Sequence, residues 1–169
     1  MPAYLRQILI YAALMLFQII INNHVYLGPL VYICIIPLLV MYLPLDQKPY
    51  VSLAIAFGLG LAIDLLSDGV LGLNAGAATL VALVSKPIFY PIFQKNNYSK
   101  KFIPPVRESN FWHHVLYLLI IIAIYFLFYI AFDGLGRTSV LISIARLFAN
   151  IAVNLALAIA IDVTLFNKS

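Results

Sequence analysis

The sequence predicts an all-α membrane protein: a bundle of six transmembrane helices forming one transmembrane domain over residues 1–169. Three observations carry that expectation. Only 9% of the residues are charged and 64% are hydrophobic, with a mean hydropathy of +1.05. A soluble domain has about 25% charged residues with which to meet water. Several apolar runs also approach or exceed the roughly 17–25 residues that cross a bilayer. The cations, finally, are lopsided. With the N-terminus placed inside, Arg6, Lys48, Lys86, Lys95, Lys100, Lys101, Arg107 and Lys168 fall on the inner side, Arg137 falls outside, and Arg146 lies within the last span. The positive-inside rule then gives an N-in, C-in orientation.

The elements follow in order. The first span covers about 4–21 and ends in Ile21-Asn22-Asn23-His24 without a cleavage-like site, so it reads as an uncleaved helix. Pro29 suits the opening of a second, short span over about 30–42, in which Pro37 is expected to make a kink or free a carbonyl. Pro44 to Pro49 bracket a loop. The third span runs about 50–66 and the fourth about 70–84. A basic cytoplasmic loop, 86–110, separates them from the fifth span, about 111–132. After a Gly134/Gly136 turn, the sixth runs about 140–166.

The net charge of +4 thus reports topology and lipid contact and gives no support to nucleic-acid binding. In the basic loop, Lys100, Lys101, Arg107 and Trp112 are the expected contacts at the inner interface. Aromatic and basic residues of this kind sit at headgroup level and attract anionic lipid at about 1 kcal/mol per basic residue. Docking of a cytoplasmic protein is the alternative. Cys34 is the single cysteine, which excludes an internal disulfide and CxxC metal chemistry.

The most informative stretch is 57–78, FGLGLAIDLLSDGVLGLNAGAA. Asp64 is expensive there: a carboxylate at the centre of a membrane helix costs roughly 2.5–3.5 kcal/mol. It requires a partner, an aqueous cavity or a task. Arg146, Asn150 and Asn154 recur every four residues in the sixth span and share a face. Depth places Asp64 and Arg146 at the same end, so the expectation is an Asp64–Arg146 pair with Asn150 satisfying leftover hydrogen bonds. That pair would fix the fold or line an outward polar cavity; alternatively Arg146 snorkels to the surface. At the other end Asp162 is expected to face Lys86.

Small residues form stripes: Ala54, Gly58 and Ala62; Gly72, Gly76, Ala78 and Ala82; and Ala145, Ala149, Ala152, Ala156 and Ala160. Such stripes let helices pack closely where lipid supplies no hydrophobic drive. Internal packing is the first expectation, with one stripe left to dock another protein. Asp68-Gly69 reads as a turn rather than half of a carboxylate pair. The GxGD register of intramembrane aspartyl proteases is missing, because Gly58-Leu59-Gly60 is followed by Leu61. His113 and His114 point to different sides of a helix at the inner interface and look quiet. No nucleophile–base pair, phosphate loop or metal spacing appears, so neither an enzyme nor a cofactor is expected.

Phe57-Gly58, Leu61, Asp64, Gly69 and Leu71-Gly72, followed by the small-residue span containing Asn74, resemble the motif of the bacterial rod-shape-determining MreD family. The six-span layout and basic loop fit in outline. The resemblance implies a non-enzymatic scaffold of the cell-elongation complex. Its partners would be an MreC-like bitopic protein, together with MreB, RodA and its transpeptidase, which direct peptidoglycan synthesis and cell shape. It names no catalytic residue. The family is also similar in fold to substrate-binding subunits of ECF vitamin transporters, which gives the alternative function. Against that alternative stand adjacent Ala12 and Ala13 in place of an Ala-x-x-x-Ala face, and outer loops too short to cap a solute near Asp64, Asn74, Arg146 and Asn150.

Overall fold

The computed structural model describes residues 3–25, 28–68, 70–93, 110–134 and 138–166. Among them are six α-helices and no strand: α1 (Ala3–His24), α2 (Ile36–Met41), α3 (Pro49–Ile63), α4 (Leu73–Phe93), α5 (Phe111–Asp133) and α6 (Val140–Ile161). Two five-residue π-helical turns, Asp64–Asp68 and Asp162–Phe166, continue α3 and α6, and each begins with a buried aspartate. Gly69, Lys100, Lys101 and Arg107 lie outside the described residues. Trp112 is exposed in the first turn of α5, behind Asn110, whose side chain accepts from the Trp112 amide and caps the helix.

Among the described residues, four helical stretches are long and apolar enough to cross a membrane: Pro49–Ser67, Leu73–Phe93, Phe111–Asp133 and Val140–Thr164. α1 is apolar over Leu9–His24. The second expected span is different. α2 has six residues, too few to cross, and residues 29–35 before it are not helical. Side chains of α1 and α6 take over its backbone hydrogen bonding: Gln18, Asn150 and Asn154 bond N–H and C=O groups of residues 30–35. This stretch is nonetheless central, and Cys34 through Met41 are all buried.

α4 starts three residues later than expected and continues to Phe93, through Pro87 and Pro91. A mid-helix proline removes a hydrogen bond to the preceding turn. Here side chains serve nearby carbonyls: Tyr117 Oη donates to Ser85 O at 3.0 Å and Ser85 Oγ to Ala82 O at 3.0 Å. Lys86 does not meet Asp162; its Nζ donates to Gln47 O at 2.6 Å, tying α4 to the loop before α3.

Two of the three small-residue stripes face outward. On α3 the buried face is Ser52, Ala56, Gly60 and Ile63, while Ala54 and Gly58 are exposed on the opposite side. At Gly58 an added Cβ would meet nothing, whereas at Gly60 it would lie 2.4 Å from Ala75 Cα. Gly60 is therefore the point where α3 and α4 touch backbone to backbone. On α6 the buried face is Asn150, Asn154, Ala158 and Ile161, and Ala145, Ala152, Ala156 and Ala160 are exposed. The stripe on α4 does pack internally: Ala78 and Ala82 are buried, and a Cβ on Gly76 would meet the Phe128 ring at 3.0 Å.

Candidate functional site

The non-helical segment 29–35 sets the geometry. A non-helical backbone inside an apolar bundle exposes N–H and C=O groups that must be satisfied from within the protein. Three side-chain amides do this. Asn150 Oδ1 accepts from Tyr32 N at 2.6 Å and its Nδ2 donates to Leu30 O at 2.8 Å. One helical turn on, Asn154 accepts from Cys34 N at 2.7 Å and donates to Tyr32 O at 2.8 Å. On the other edge Gln18 of α1 accepts from Ile35 N at 2.6 Å and donates to Ile33 O at 2.7 Å. Each amide spans the N–H of one residue and the C=O two residues earlier, as a neighbouring strand would. The spacing is commensurate: four helical residues rise about 6 Å and two extended residues about 6.6 Å. The polar face of α6 is a set of brackets for this segment.

Asp64 has a different partner from the one expected. Its Oδ2 accepts from Gly72 N (2.9 Å) and Ala75 N (3.1 Å), and its Oδ1 from Asn74 N (3.0 Å) and Asn74 Nδ2 (2.9 Å). A carboxylate offers about four lone-pair sites. All four are filled, and the residue is fully buried. The negative charge sits at the amino end of α4, where unpaired N–H groups and the helix dipole stabilise it. Gly72, at φ +92°, supplies the left-handed turn that brings its own N–H onto the carboxylate. The price of burial is met by a helix end, and no arginine among the described residues contributes.

Asn74 extends the network. Its Oδ1 accepts from the Tyr125 hydroxyl, which also receives a bond from Cys34 Sγ at 3.1 Å. Asn22 Nδ2 donates to Tyr32 Oη at 3.0 Å and Asn22 Oδ1 accepts from Gln18 at 2.8 Å. The Tyr32 and Tyr129 rings stack at 5.0 Å. Asp64, Asn74 and Asn150 are thus interior girders.

Arg146 pairs with Asp133, the last residue of α5, at 2.6 Å from Nη2 to Oδ2. The Asp64–Arg146 expectation fails because Asp64 is saturated, while Asp133 lies across the α5–α6 turn from Arg146. Arg146 lines one open cleft of about 400 Å³ together with Ser67 and Val70 from beyond α3, Asn22 of α1, and Tyr32, Tyr129 and Asp133.

At the opposite end His114 is not quiet. It is fully buried, and its Nε2 lies 3.1 Å from Asp162 Oδ2, while Tyr42 donates to Asp162 Oδ1. This cluster ties α2, α5 and α6 together. No group of three or more potential metal ligands occurs among the described residues.

Gln18, Asn22, Asp133 and the tyrosines escaped the sequence reading. Gln18 and Asn22 stand four apart in α1, the same spacing that marks Asn150 and Asn154. No protein-family model, curated protein or solved structure matches the chain.

Proposed function

We propose that the protein is a non-enzymatic membrane scaffold of the MreD type, receiving a transmembrane helix of an MreC-like bitopic partner within the bacterial rod-shape complex. The observation that carries this reading is the outward face of α6. Ala145, Ala152, Ala156 and Ala160 lie away from the core and are exposed. Inside a bilayer, small residues promote helix association because they let backbones approach closely. A helix that spends alanines on its outer face, and asparagines on its inner one, is suited to a second helix there. The outward Ala54 and Gly58 of α3 offer a further such face. MreB, RodA and its transpeptidase belong to the same proposal as indirect partners, with the inner basic loop meeting anionic lipid. The N-in, C-in orientation and the cytoplasmic membrane are part of it.

The test is isolation of the tagged chain from its native membrane in mild detergent, with mass spectrometry of what accompanies it. The scaffold reading expects a bitopic MreC-like protein at near-equal stoichiometry. Recovery of an energy-coupling transporter module would replace it with the ECF-type alternative.

A further inference from the structure

The open cleft beside Arg146 has both polar and apolar walls. Its volume of about 400 Å³ falls within the size of small-ligand sites. Its walls combine apolar Ile21, Val25, Leu30 and Val70 with the stacked Tyr32 and Tyr129 rings and one ion pair. The side chains of Arg146 and Asp133 are 15% and 31% exposed, so the pair is neither lost in water nor sealed in the core. Two donors in these walls, Arg146 Nε and Ser67 Oγ, are buried without a hydrogen-bond partner among the described residues. An unpartnered buried donor costs about 1–3 kcal/mol, and an acceptor placed there recovers that loss.

We propose that this cleft binds a zwitterionic group. Its oxyanion is held by the free edge of the Arg146 guanidinium and by Ser67, and its ammonium by Asp133. Arg146 presents five N–H donors in a fork suited to oxyanions, and Asp133 holds only part of it. Net charge selects the ligand class. The Arg146–Asp133 pair is neutral as a unit, so a ligand bearing one extra charge would bring it uncompensated into a partly desolvated site. A zwitterion matches both walls and keeps the sum at zero. The apolar walls accept a hydrocarbon attached to it. Two sources share this chemistry: the headgroup of a zwitterionic phospholipid, and a free amino acid with an apolar side chain. The inference stands apart from the scaffold reading and would hold for either function.

The experiment uses the full chain in mild detergent. In one arm it is offered equimolar phosphatidylethanolamine and phosphatidylglycerol, and retained lipid is read by native mass spectrometry. In the other, L-leucine is titrated against its singly charged analogues isoamylamine and 4-methylpentanoate by calorimetry. The proposal expects about tenfold discrimination for the zwitterion in one arm, which identifies the source. The discrimination should vanish in the Arg146→Gln/Asp133→Asn double variant. It should also weaken in Val70→Trp, which fills the cleft without touching the charges. Absence of discrimination in both arms overturns the proposal. So does discrimination that survives both variants. A double variant that fails to fold leaves Val70→Trp as the deciding comparison.

Discussion

A single carboxylate shows how this chain handles charge in an apolar interior. Asp64 has no countercharge among the described residues; four N–H donors from Gly72, Asn74 and Ala75 saturate it. Replacing it with alanine removes every acceptor at once and leaves backbone amides of α4 unsatisfied. Helix caps are worth about 0.5–2 kcal/mol, and each orphaned buried donor costs about 1–3 kcal/mol. Asp64→Ala should therefore destabilise the protein by about 3 kcal/mol or more, read as loss of folded monomer in a detergent thermal-stability assay. Arg146→Gln should cost much less, about 1 kcal/mol, because its pair with Asp133 is partly solvated. Similar losses from the two substitutions would contradict this assignment. Residue identity made Asp64 conspicuous in the sequence, but its partner was not legible there. Backbone N–H groups carry no sequence signature, and the only hints were Gly72 and Asn74 on either side of the helix's first residue.

At the scale of elements, the unusual feature is a non-helical segment, residues 29–35, held between helices. Hydrogen bonds between membrane helices average about 0.6 kcal/mol, because the unfolded chain in the bilayer finds other partners. Those of Asn154 should count for more. They serve Cys34 N and Tyr32 O, backbone groups of a segment that cannot satisfy itself by forming a helix. Asn154→Leu is expected to cost about 2 kcal/mol and to raise amide hydrogen exchange at Cys34 specifically. Unchanged exchange there would show that the bracket is dispensable. The sequence revealed the Arg146–Asn150–Asn154 periodicity but not its purpose, because an apolar run between Pro29 and Pro37 reads equally as a short helix. β-branching at Val31, Ile33 and Ile35 did not discriminate, since Ile19 to Ile21 and Ile120 to Ile122 lie inside helices. The long helices were legible to within a few residues, since continuous hydrophobicity is a strong cue; α4 alone ran well past its expected end.

For the whole molecule, the two ends and the two faces of the bundle have different jobs. One end holds the cleft with its Arg146–Asp133 pair, and the other is locked by His114, Asp162 and Tyr42. The polar faces of α1 and α6 point inward at the non-helical segment, which leaves the alanine face of α6 outward. The sequence could list these alanines but could not orient them. Which side of a helix faces the core depends here on where its asparagines find backbone to bond. That orientation is what the scaffold reading rests on. The most direct measurement is a photo-crosslinking scan along α6 in the native membrane, one position at a time from Ala145 to Ala160. The account expects adducts with a single bitopic protein, strongest at Ala152 and Ala156 and recurring at helical spacing. Adducts with lipid alone at every outward position would contradict it.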